Sequence, residues 1–217
     1  MKIKWNGHSS FTITAQDGTV IVTDPYEPGG FGGGIGYSAV DDKADIVLVS
    51  HDHGDHNFTK SLKGDPQVLK KSGQVKGLAF AGIATAHDDK GGGERGQNTV
   101  FTFTVDGVKI AHLGDLGHLL TDAQRKALGP VDLLLAPIGG FFTIDPPTAA
   151  KLADQVKPKV MIPMHYKTAK CAFPIAPVED FIKLMTKVKR TGQTELELAA
   201  KDLPAAGPEV WVMEHAR

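Results

Sequence analysis

The chain has 217 residues, enough to bury a sizeable core, and we predict a single domain over residues 1–217. Its 24 basic and 25 acidic side chains give a formal net charge of −1, so charge indicates neither a nucleic-acid partner nor a disordered acidic tail. The single cysteine, Cys171, excludes an internal disulfide framework. The first eight residues lack the apolar stretch of a signal peptide, and no run is long enough to span a bilayer, so we expect a cytoplasmic protein.

The N-terminal half is predicted to be mainly strands separated by turn residues. Apolar runs bounded by glycine, aspartate and proline predict strands over 3–5, 11–14, 20–23, 46–49 and 78–86. The glycine-rich residues 26–38 predict a long loop, and Tyr26, Phe31 and Tyr37 within it favour a lid that faces a substrate. A short helix is expected over 58–62, and residues 91–98 form a second glycine-rich loop.

The C-terminal half alternates strands with helices. Strands are predicted over 100–105, 108–113, 131–136, 160–162 and 209–213, the first two forming a hairpin at Asp106-Gly107. Thr121-Asp122-Ala123-Gln124 is a capping-box pattern that begins a helix ending at Gly129. Asp145-Pro146 begins another helix that runs to Val156, and a third is predicted over 178–189.

The segment His51-Asp52-His53-Gly54-Asp55-His56 has the strongest functional signal, and it directly follows the apolar run Ile46–Val49. On an extended segment, residues two apart project the same way, so the first two histidines can converge on one point. The glycine lets the loop bend and turn the last two residues toward a second point. The alternative is a solvated polar turn, but three histidines and two carboxylates within six residues favour binding of zinc, iron or manganese.

Four other predicted strands also end in a residue able to bind or orient a metal. These residues are Asp24, His87, Asp115 and His165. Because loops beyond the carboxyl ends of strands gather on one side of a layered α/β protein, we expect a single convergent site. Its five imidazoles and two carboxylates would be costly to bury together unless cations neutralised them.

The cluster resembles the His-Xaa-His-Xaa-Asp-His signature of the metallo-β-lactamase superfamily, and the later residues follow in that family's order. Three further stretches, Gly7–Ser10, Gly114–His118 and Ile162–Tyr166, resemble a subgroup that contains ascorbate-phosphate lactonase and N-acyl-phosphatidylethanolamine phospholipase relatives. The resemblance implies an α/β fold, a four-layer αββα sandwich with two metals at one edge between the sheets.

The resemblance also implies a role for each residue of the site. His51, His53 and His87 would hold the first metal, Asp55, His56 and His165 the second, and Asp115 would bridge them, while Asp24 would orient the cluster by hydrogen bonds. Two divalent ions, zinc foremost with manganese or iron as alternatives, lower the pKa of a shared water so that hydroxide exists at neutral pH. Asp55 and Asp115 would then act as catalytic groups that take up the proton or aim the hydroxide.

Four further residues are candidates for substrate contact. His8 and His118 lie in stretches that resemble the subgroup, and each is either structural or a stabiliser of a transition-state oxygen. Arg95 in the second glycine-rich loop, with Lys167 near the same mouth, could bind a phosphate or carboxylate; the alternative is a solvated loop with an incidental charge. His112, His215, Tyr166 and Cys171 are interpreted as structural.

Together these features predict a metal-dependent hydrolase acting on a small anionic ester, lactone or phosphodiester. A phosphodiesterase acting on nucleotides or lipid head groups is one alternative. A non-catalytic, metal-stabilised binding module is the second alternative. Such relatives typically lose metal ligands, whereas this chain has all seven ligand residues that the resemblance implies. The expected partner is a small molecule, with neither nucleic acid nor a membrane span involved.

Overall fold

A computed structural model describes all 217 residues and contains fourteen strands in two sheets. The strands are β1 (Lys2–Gly7), β2 (Ser10–Thr14), β3 (Val20–Thr23), β4 (Ile46–Leu48), β5 (Gln67–Leu69), β6 (Gly73–Val75), β7 (Leu78–Ala86), β8 (Gln97–Val105), β9 (Val108–His112), β10 (Leu133–Pro137), β11 (Val160–Met164), β12 (Val188–Arg190), β13 (Glu195–Glu197) and β14 (Glu209–Val212). One sheet has the order β13-β1-β2-β3-β4-β5, and the other has the order β12-β14-β11-β10-β9-β8-β7-β6.

Strand direction brings several carboxyl ends to one edge of each sheet. In the six-stranded sheet β1 and β3 are both antiparallel to β2, and β4 is parallel to β3, so these three strands point the same way. In the eight-stranded sheet β7 and β9 are both antiparallel to β8, while β10 and β11 run parallel to β9. The loops after these strands are therefore the ones that can meet in a single site.

The two faces of the six-stranded sheet bury different apolar clusters. Along β3 and β4 successive side chains alternate, and Ile21 and Ile46 join the main core shared with the eight-stranded sheet. Val22 and Val47 face the opposite side, where they pack in a second cluster that contains Tyr26, Tyr37 and Cys171. Sheet-on-sheet packing thus forms the centre of the molecule.

Four short helices accompany the sheets: α1 (Gly30–Gly33), α2 (Asp122–Leu128), α3 (Pro146–Val156) and α4 (Val178–Ile182). The predicted capping box of α2 is confirmed, since Thr121 and Gln124 bond reciprocally, and Asp145 caps α3 through the Thr148 N–H. Both helices bury apolar side chains, among them Leu128 and Leu152, in the main core. No helix is long and apolar enough to cross a bilayer.

Several predictions of local structure are wrong. The helix predicted over 178–189 ends at Ile182, and Val188 instead begins β12, which pairs with β14. The strands β5, β6, β12 and β13 were not predicted, because three-residue segments gain their stability from pairing rather than from their own apolar pattern. The helix predicted over 58–62 is only a 3₁₀ turn at Thr59–Ser61, and a second 3₁₀ turn lies at Ala200–Asp202.

The glycine-rich loop over 26–38 covers the outer face of the six-stranded sheet. Tyr26 and Tyr37 are buried there, and the Tyr26 hydroxyl lies within hydrogen-bond distance of the carbonyl oxygens of Asn6 and Ser38. Of the three aromatic residues only Phe31 is exposed, and it lies within α1, which is a distorted turn with left-handed residues. The outer layer on this face is therefore mostly loop, and of the three aromatic residues only Phe31 is free to face a substrate.

Candidate metal centre

Six polar residues follow the carboxyl ends of strands from both sheets and meet at one edge. They are His8 after β1, Asp24 after β3, His51 after β4, His87 after β7, Asp115 after β9 and His165 after β11. His8, Asp24 and His165 have positive φ angles of 50°, 38° and 51°, which are uncommon for residues other than glycine. Such conformations are characteristic of functional sites, and here they accompany an abrupt end of each strand.

The three histidines predicted to hold a first metal form one donor group. One ring nitrogen from each of His51, His53 and His87 lies within 4.8 Å of the other two. His51 Nε2 is 3.0 Å from His53 Nδ1. The Nδ1 of His87 donates to the carbonyl oxygen of Phe142 at 3.1 Å, which assigns the proton to that nitrogen and leaves Nε2 free to face the cluster.

A second donor group contains the residues predicted for the second metal and one more. Asp55, His56 and His165 are joined by His8, and all four are buried. His8 Nε2 lies 3.1 Å from Asp55 Oδ2, and its ring is 4.2 Å from that of His165. Because His8 is fully buried behind Asp55, the prediction that it contacts substrate is not supported, and we assign it to the cation-binding group instead.

Asp115 lies between the two groups, where the bridging residue was predicted. Its Oδ2 is 3.1 Å from His87 Nε2 and 3.9 Å from His51 Nε2 on one side, and 3.1 Å from His56 Nε2 and 3.4 Å from His165 Nε2 on the other. The preceding Gly114 has a φ of 53°, and a Cβ there would lie 2.4 Å from Asn98 Oδ1. Only glycine therefore allows this turn to bring the carboxylate into the centre of the site.

Asp24 forms hydrogen bonds to Ser50, to His56 of the second donor group and to His112. It accepts the backbone N–H and the hydroxyl of Ser50, each at 2.7 Å, and its Oδ2 lies 3.0 Å from His56 Nδ1. His112 Nε2 donates to the same oxygen at 2.7 Å. His112, interpreted from the sequence as structural, is therefore one of the partners of Asp24. It is the last residue of β9 and is fully buried. The sequence did not predict its contact with Asp24 because the two residues lie far apart along the chain.

Protonation states in the site follow from burial and from the neighbouring charges. Burial and nearby imidazoles lower the pKa of His51 to about 3 and that of His8 to about 4. Burial opposes ionisation of Asp55 and Asp115, but the histidines around them hold both pKa values below the usual range. For His56, burial favours the neutral ring, yet Asp115 and Asp55 raise its pKa well above the ordinary value. A proton on His56 thus sits where a cation would bind, and cation binding must release it.

The residues fit divalent cations. His56 Nε2 and Asp115 Oδ1 are buried within the cluster without a hydrogen-bond partner, a costly arrangement for polar atoms unless something binds them. Tetrahedral zinc ligands about 2.1 Å from the ion lie roughly 3.4 Å from one another. The Nε2-to-Oδ2 distances around Asp115, from 3.1 to 3.9 Å, bracket that spacing. Imidazole and carboxylate donors also suit zinc, manganese and iron chemically.

The second glycine-rich loop is organised by an internal anion. The buried carboxylate of Asp88 accepts backbone N–H groups from Lys90, Gly92, Glu94 and Arg95 at 2.8 to 2.9 Å. These amides are therefore unavailable to a ligand. The bonds fix the main chain at Arg95, whose side chain lines the cavity over the metal centre.

Two other predicted substrate contacts lie elsewhere. Both ring nitrogens of His118 are engaged by the backbone, Nε2 accepting the Ala86 N–H at 3.1 Å and Nδ1 lying 2.7 Å from the Leu119 carbonyl oxygen. Lys167 Nζ donates to the Phe173 carbonyl oxygen at 2.8 Å and lines a separate hollow. Neither side chain lines the cavity over the metal centre, so the positions of His118 and Lys167 do not support the predicted substrate contacts.

The cavity over the metal centre has a volume of about 510 Å³. Ligand residues from both groups line it, including His53, Asp55, His87, Asp115 and His165. Its remaining wall has an aromatic part, Phe31, Phe142 and Phe173, and a charged part, Glu94 and Arg95. The space is large enough for a small organic molecule in contact with both donor groups.

Known proteins are similar to this chain in sequence and in fold. The family model for the beta-lactamase superfamily domain matches residues 2–165. A UPF0173 metal-dependent hydrolase from Nitratidesulfovibrio vulgaris is 31% identical over 194 residues, covering 77% of this chain and 80% of the relative. The crystal structure of a candidate Zn-dependent hydrolase of the metallo-β-lactamase superfamily from Thermotoga maritima is 39% identical with a TM-score of 0.80, covering 99% of this chain and 98% of that one.

A more distant match shows the fold alone. Igni18, a metallo hydrolase from Ignicoccus hospitalis, is 22% identical with a TM-score of 0.62, covering 100% of this chain and 96% of its own. The predicted α/β sandwich is thereby confirmed, while the kinship with lactonase and phospholipase relatives stays a prediction. On the matched family model and these relatives, the chain belongs to the metallo-β-lactamase superfamily, among its metal-dependent hydrolases.

Proposed function

We propose that the protein hydrolyses a small anionic ester, lactone or phosphodiester with the help of two divalent cations. The position of Asp115 is the observation that carries this proposal. A single carboxylate oxygen lies within 3.9 Å of ring nitrogens from both donor groups, and such an oxygen can serve two neighbouring cations at once. A site for one cation would need no such central carboxylate.

In the proposed assignment, His51, His53 and His87 hold one cation, and Asp55, His56, His165 and His8 hold the other. Divalent cations there would lower the pKa of a water molecule and polarise the oxygen of the scissile group. The Nδ1–H of His56 faces Asp24, and that of His87 faces a carbonyl, so both rings present Nε2 to the cluster. The chain thus fixes the ligand tautomers before any cation binds.

Asp55 and Asp115 are the proposed proton acceptors because both line the cavity and both are ionised. Oδ1 of Asp115 has no hydrogen-bond partner, so it can accept a proton from the attacking nucleophile or hold that nucleophile in line. Arg95, on the cavity wall, is the proposed contact for an anionic group of the substrate, since guanidinium binds carboxylate and phosphate through two donors. Zinc is the proposed metal because the ligands suit it and the Thermotoga maritima relative is described as Zn-dependent.

The first test is the metal content of protein purified without chelator. We expect about two zinc ions per chain, falling to one or none in Asp115→Ala, because that substitution removes the shared oxygen. Asp122→Ala, which changes an exposed aspartate on α2, is the matched control and should retain both ions. Two ions in Asp115→Ala would refute the bridging role.

Activity is tested on the zinc-loaded protein with a carboxylated ester, a lactone and bis-nitrophenyl phosphate. Cleavage of one of these, lost with Asp115→Ala and retained with Asp122→Ala, supports hydrolysis at this site. Preferential cleavage of the phosphate diester would identify a phosphodiesterase. Full metal content with no turnover of any class would favour the non-catalytic binding module.

A further inference from the structure

Three phenylalanine rings form an apolar wall beside the metal centre. The Phe31 and Phe173 ring centroids are 5.5 Å apart with planes at 85°, and those of Phe142 and Phe173 are 5.5 Å apart with planes at 66°. Edge-to-face contacts of this kind are favourable and hold rings in a fixed arrangement. The rings come from three separate loops and all line the cavity, so they form one continuous surface only in the folded chain.

Phe31 occupies this wall against its conformational preference. It has a φ of 54° within a run of glycines, where a bulky residue is a genuine outlier, and 58% of its surface is exposed. Its ring also lies over the cluster loop, because a Cβ on Gly54 would be 3.8 Å from Phe31 Cε2. An exposed aromatic ring held in a strained conformation above a site is better explained by ligand contact than by folding.

The cavity has distinct chemical ends. Phe173 lies beside the second donor group, with its ring centroid 5.8 Å from that of His8. Arg95 lies toward the first donor group, since it shares one hollow with His87 and another with His51 and His53. The reactive centre around Asp115 therefore has Phe173 on the side of the second donor group and Arg95 on the side of the first, where Phe142 and the carboxylates of Asp52 and Glu94 also lie.

We infer that the substrate carries a planar apolar group on one side of the scissile bond and an anionic group on the other. The apolar group packs on the wall formed by Phe31, Phe142 and Phe173, and the carboxylate or phosphate pairs with Arg95. This inference rests on the proposed function for the identity of the site, and it specifies that the acyl or phosphoryl substituent is aryl-like rather than a small alkyl or sugar group.

Equilibrium binding to the zinc-loaded protein tests the inference without requiring turnover. The probes are phenylacetylglycine, acetylglycine, which lacks the aryl group, and phenylacetylglycinamide, which lacks the carboxylate. We expect phenylacetylglycine to bind about tenfold or more tightly than either other probe, because each loses one of the two matched contacts. Equal affinities for all three probes by titration calorimetry would overturn the inference.

Matched variants show which residues produce the selectivity. Phe31→Ala should remove the preference for phenylacetylglycine over acetylglycine, whereas Phe141→Ala should keep it. Phe141 is a close control, since it also has a positive φ of 62°, is 63% exposed and packs on one of the three rings, yet it does not line the cavity. Arg95→Gln should likewise remove the preference for the carboxylate, and Arg125→Gln on α2 should not.

The same variants separate this inference from the proposed function. A protein that hydrolyses the three ester classes but does not discriminate among the probes would leave the proposed function intact and overturn the substrate class. A protein that discriminates among the probes and cleaves nothing would confirm the two-ended cavity and refute the hydrolase. Loss of selectivity in Phe141→Ala equal to that in Phe31→Ala would refute the assignment of the aromatic wall.

Discussion

Asp24→Asn is the substitution that most directly tests how the metal centre is held. The Oδ2 of Asp24 lies 3.0 Å from His56 Nδ1 and 2.7 Å from His112 Nε2, and it also accepts the Ser50 hydroxyl. An amide group at the position of Oδ2 would present N–H to two N–H donors. If the amide turned the other way, it would present N–H to the Ser50 backbone N–H, which now donates to Oδ1.

The magnitude follows from the bonds that the amide cannot make. A hydrogen bond to a charged group contributes about 1.5–3 kcal/mol, and two of them are lost at Oδ2. Some of this loss is recovered if His56 releases its Nδ1 proton and keeps the proton on Nε2, so we expect a decrease of about 2–4 kcal/mol in the free energy of unfolding. That tautomer places a proton on the nitrogen that faces Asp115, so the second site should lose roughly 10- to 100-fold in metal affinity.

Two measurements check this prediction. Urea unfolding of the metal-free protein gives the loss of stability, and competition with a zinc chelator gives the affinity of each site. The control is Asp132→Asn, because Asp132 also accepts a backbone N–H, that of Lys109 at 2.9 Å, but lies before β10 at the opposite edge of the sheet. Asp132→Asn should lose stability without losing zinc affinity. Wild-type zinc affinity at both sites of Asp24→Asn would refute the proposed orienting role.

Four further predictions concern His112, the second glycine-rich loop, the Arg217 ion pair and the metal centre. His112→Ala should lower both stability, by about 2–3 kcal/mol, and affinity for the second cation, because it removes a buried donor to Asp24; calorimetry and chelator competition measure the two effects. Asp88→Asn should speed hydrogen exchange of the amides in residues 90–95 and raise KM, since an amide cannot accept four N–H bonds; unchanged exchange would contradict it. Burial would raise the pKa of Asp42, but Lys4 and Arg217 lower it, so the stability from this pairing is present at neutral pH and lost on acidification below about pH 4. Arg217→Ala should therefore cost about 1 kcal/mol at pH 7 and progressively less as the pH falls below about 4, and a cost that does not change with pH would refute the pairing. Removal of metal by chelator should lower stability by about 2.7 kcal/mol for each occupied site, relative to protein at a free zinc concentration 100 times the Kd of that site, and an unchanged melting temperature would contradict zinc binding by the folded state.

The amino-acid sequence by itself predicted seven of the candidate donor residues, and the structure added His8 to them. Three histidines and two carboxylates lie within six residues after an apolar strand. Their side-chain directions can be predicted, because residues two apart on an extended segment face the same way. His87, Asp115 and His165 were found for the same reason, each following an apolar run. Strand ends are local features, and the carboxyl ends of similarly directed strands must share an edge.

Only the tertiary structure decided which side chains support those donors and which face the substrate. His112 became a partner of Asp24 because β9 and β3 belong to different sheets that pack together. His8, predicted as a substrate contact, lies in the second donor group beside Asp55. The second glycine-rich loop folds around the Asp88 carboxylate, which accepts its backbone N–H groups.

The aromatic wall has the same origin. Phe31 was predicted to face a substrate from its glycine-rich loop, but no local pattern distinguishes Phe142 and Phe173 from core residues, and the three rings meet only in the folded chain. The physical reason is the range of the interactions. Candidate metal ligands can be predicted from their chemistry and from their spacing along a strand and its loop. The hydrogen bonds that support these ligands and the aromatic wall of the cavity depend on the distances between loops. Only the packing of the two sheets fixes those distances.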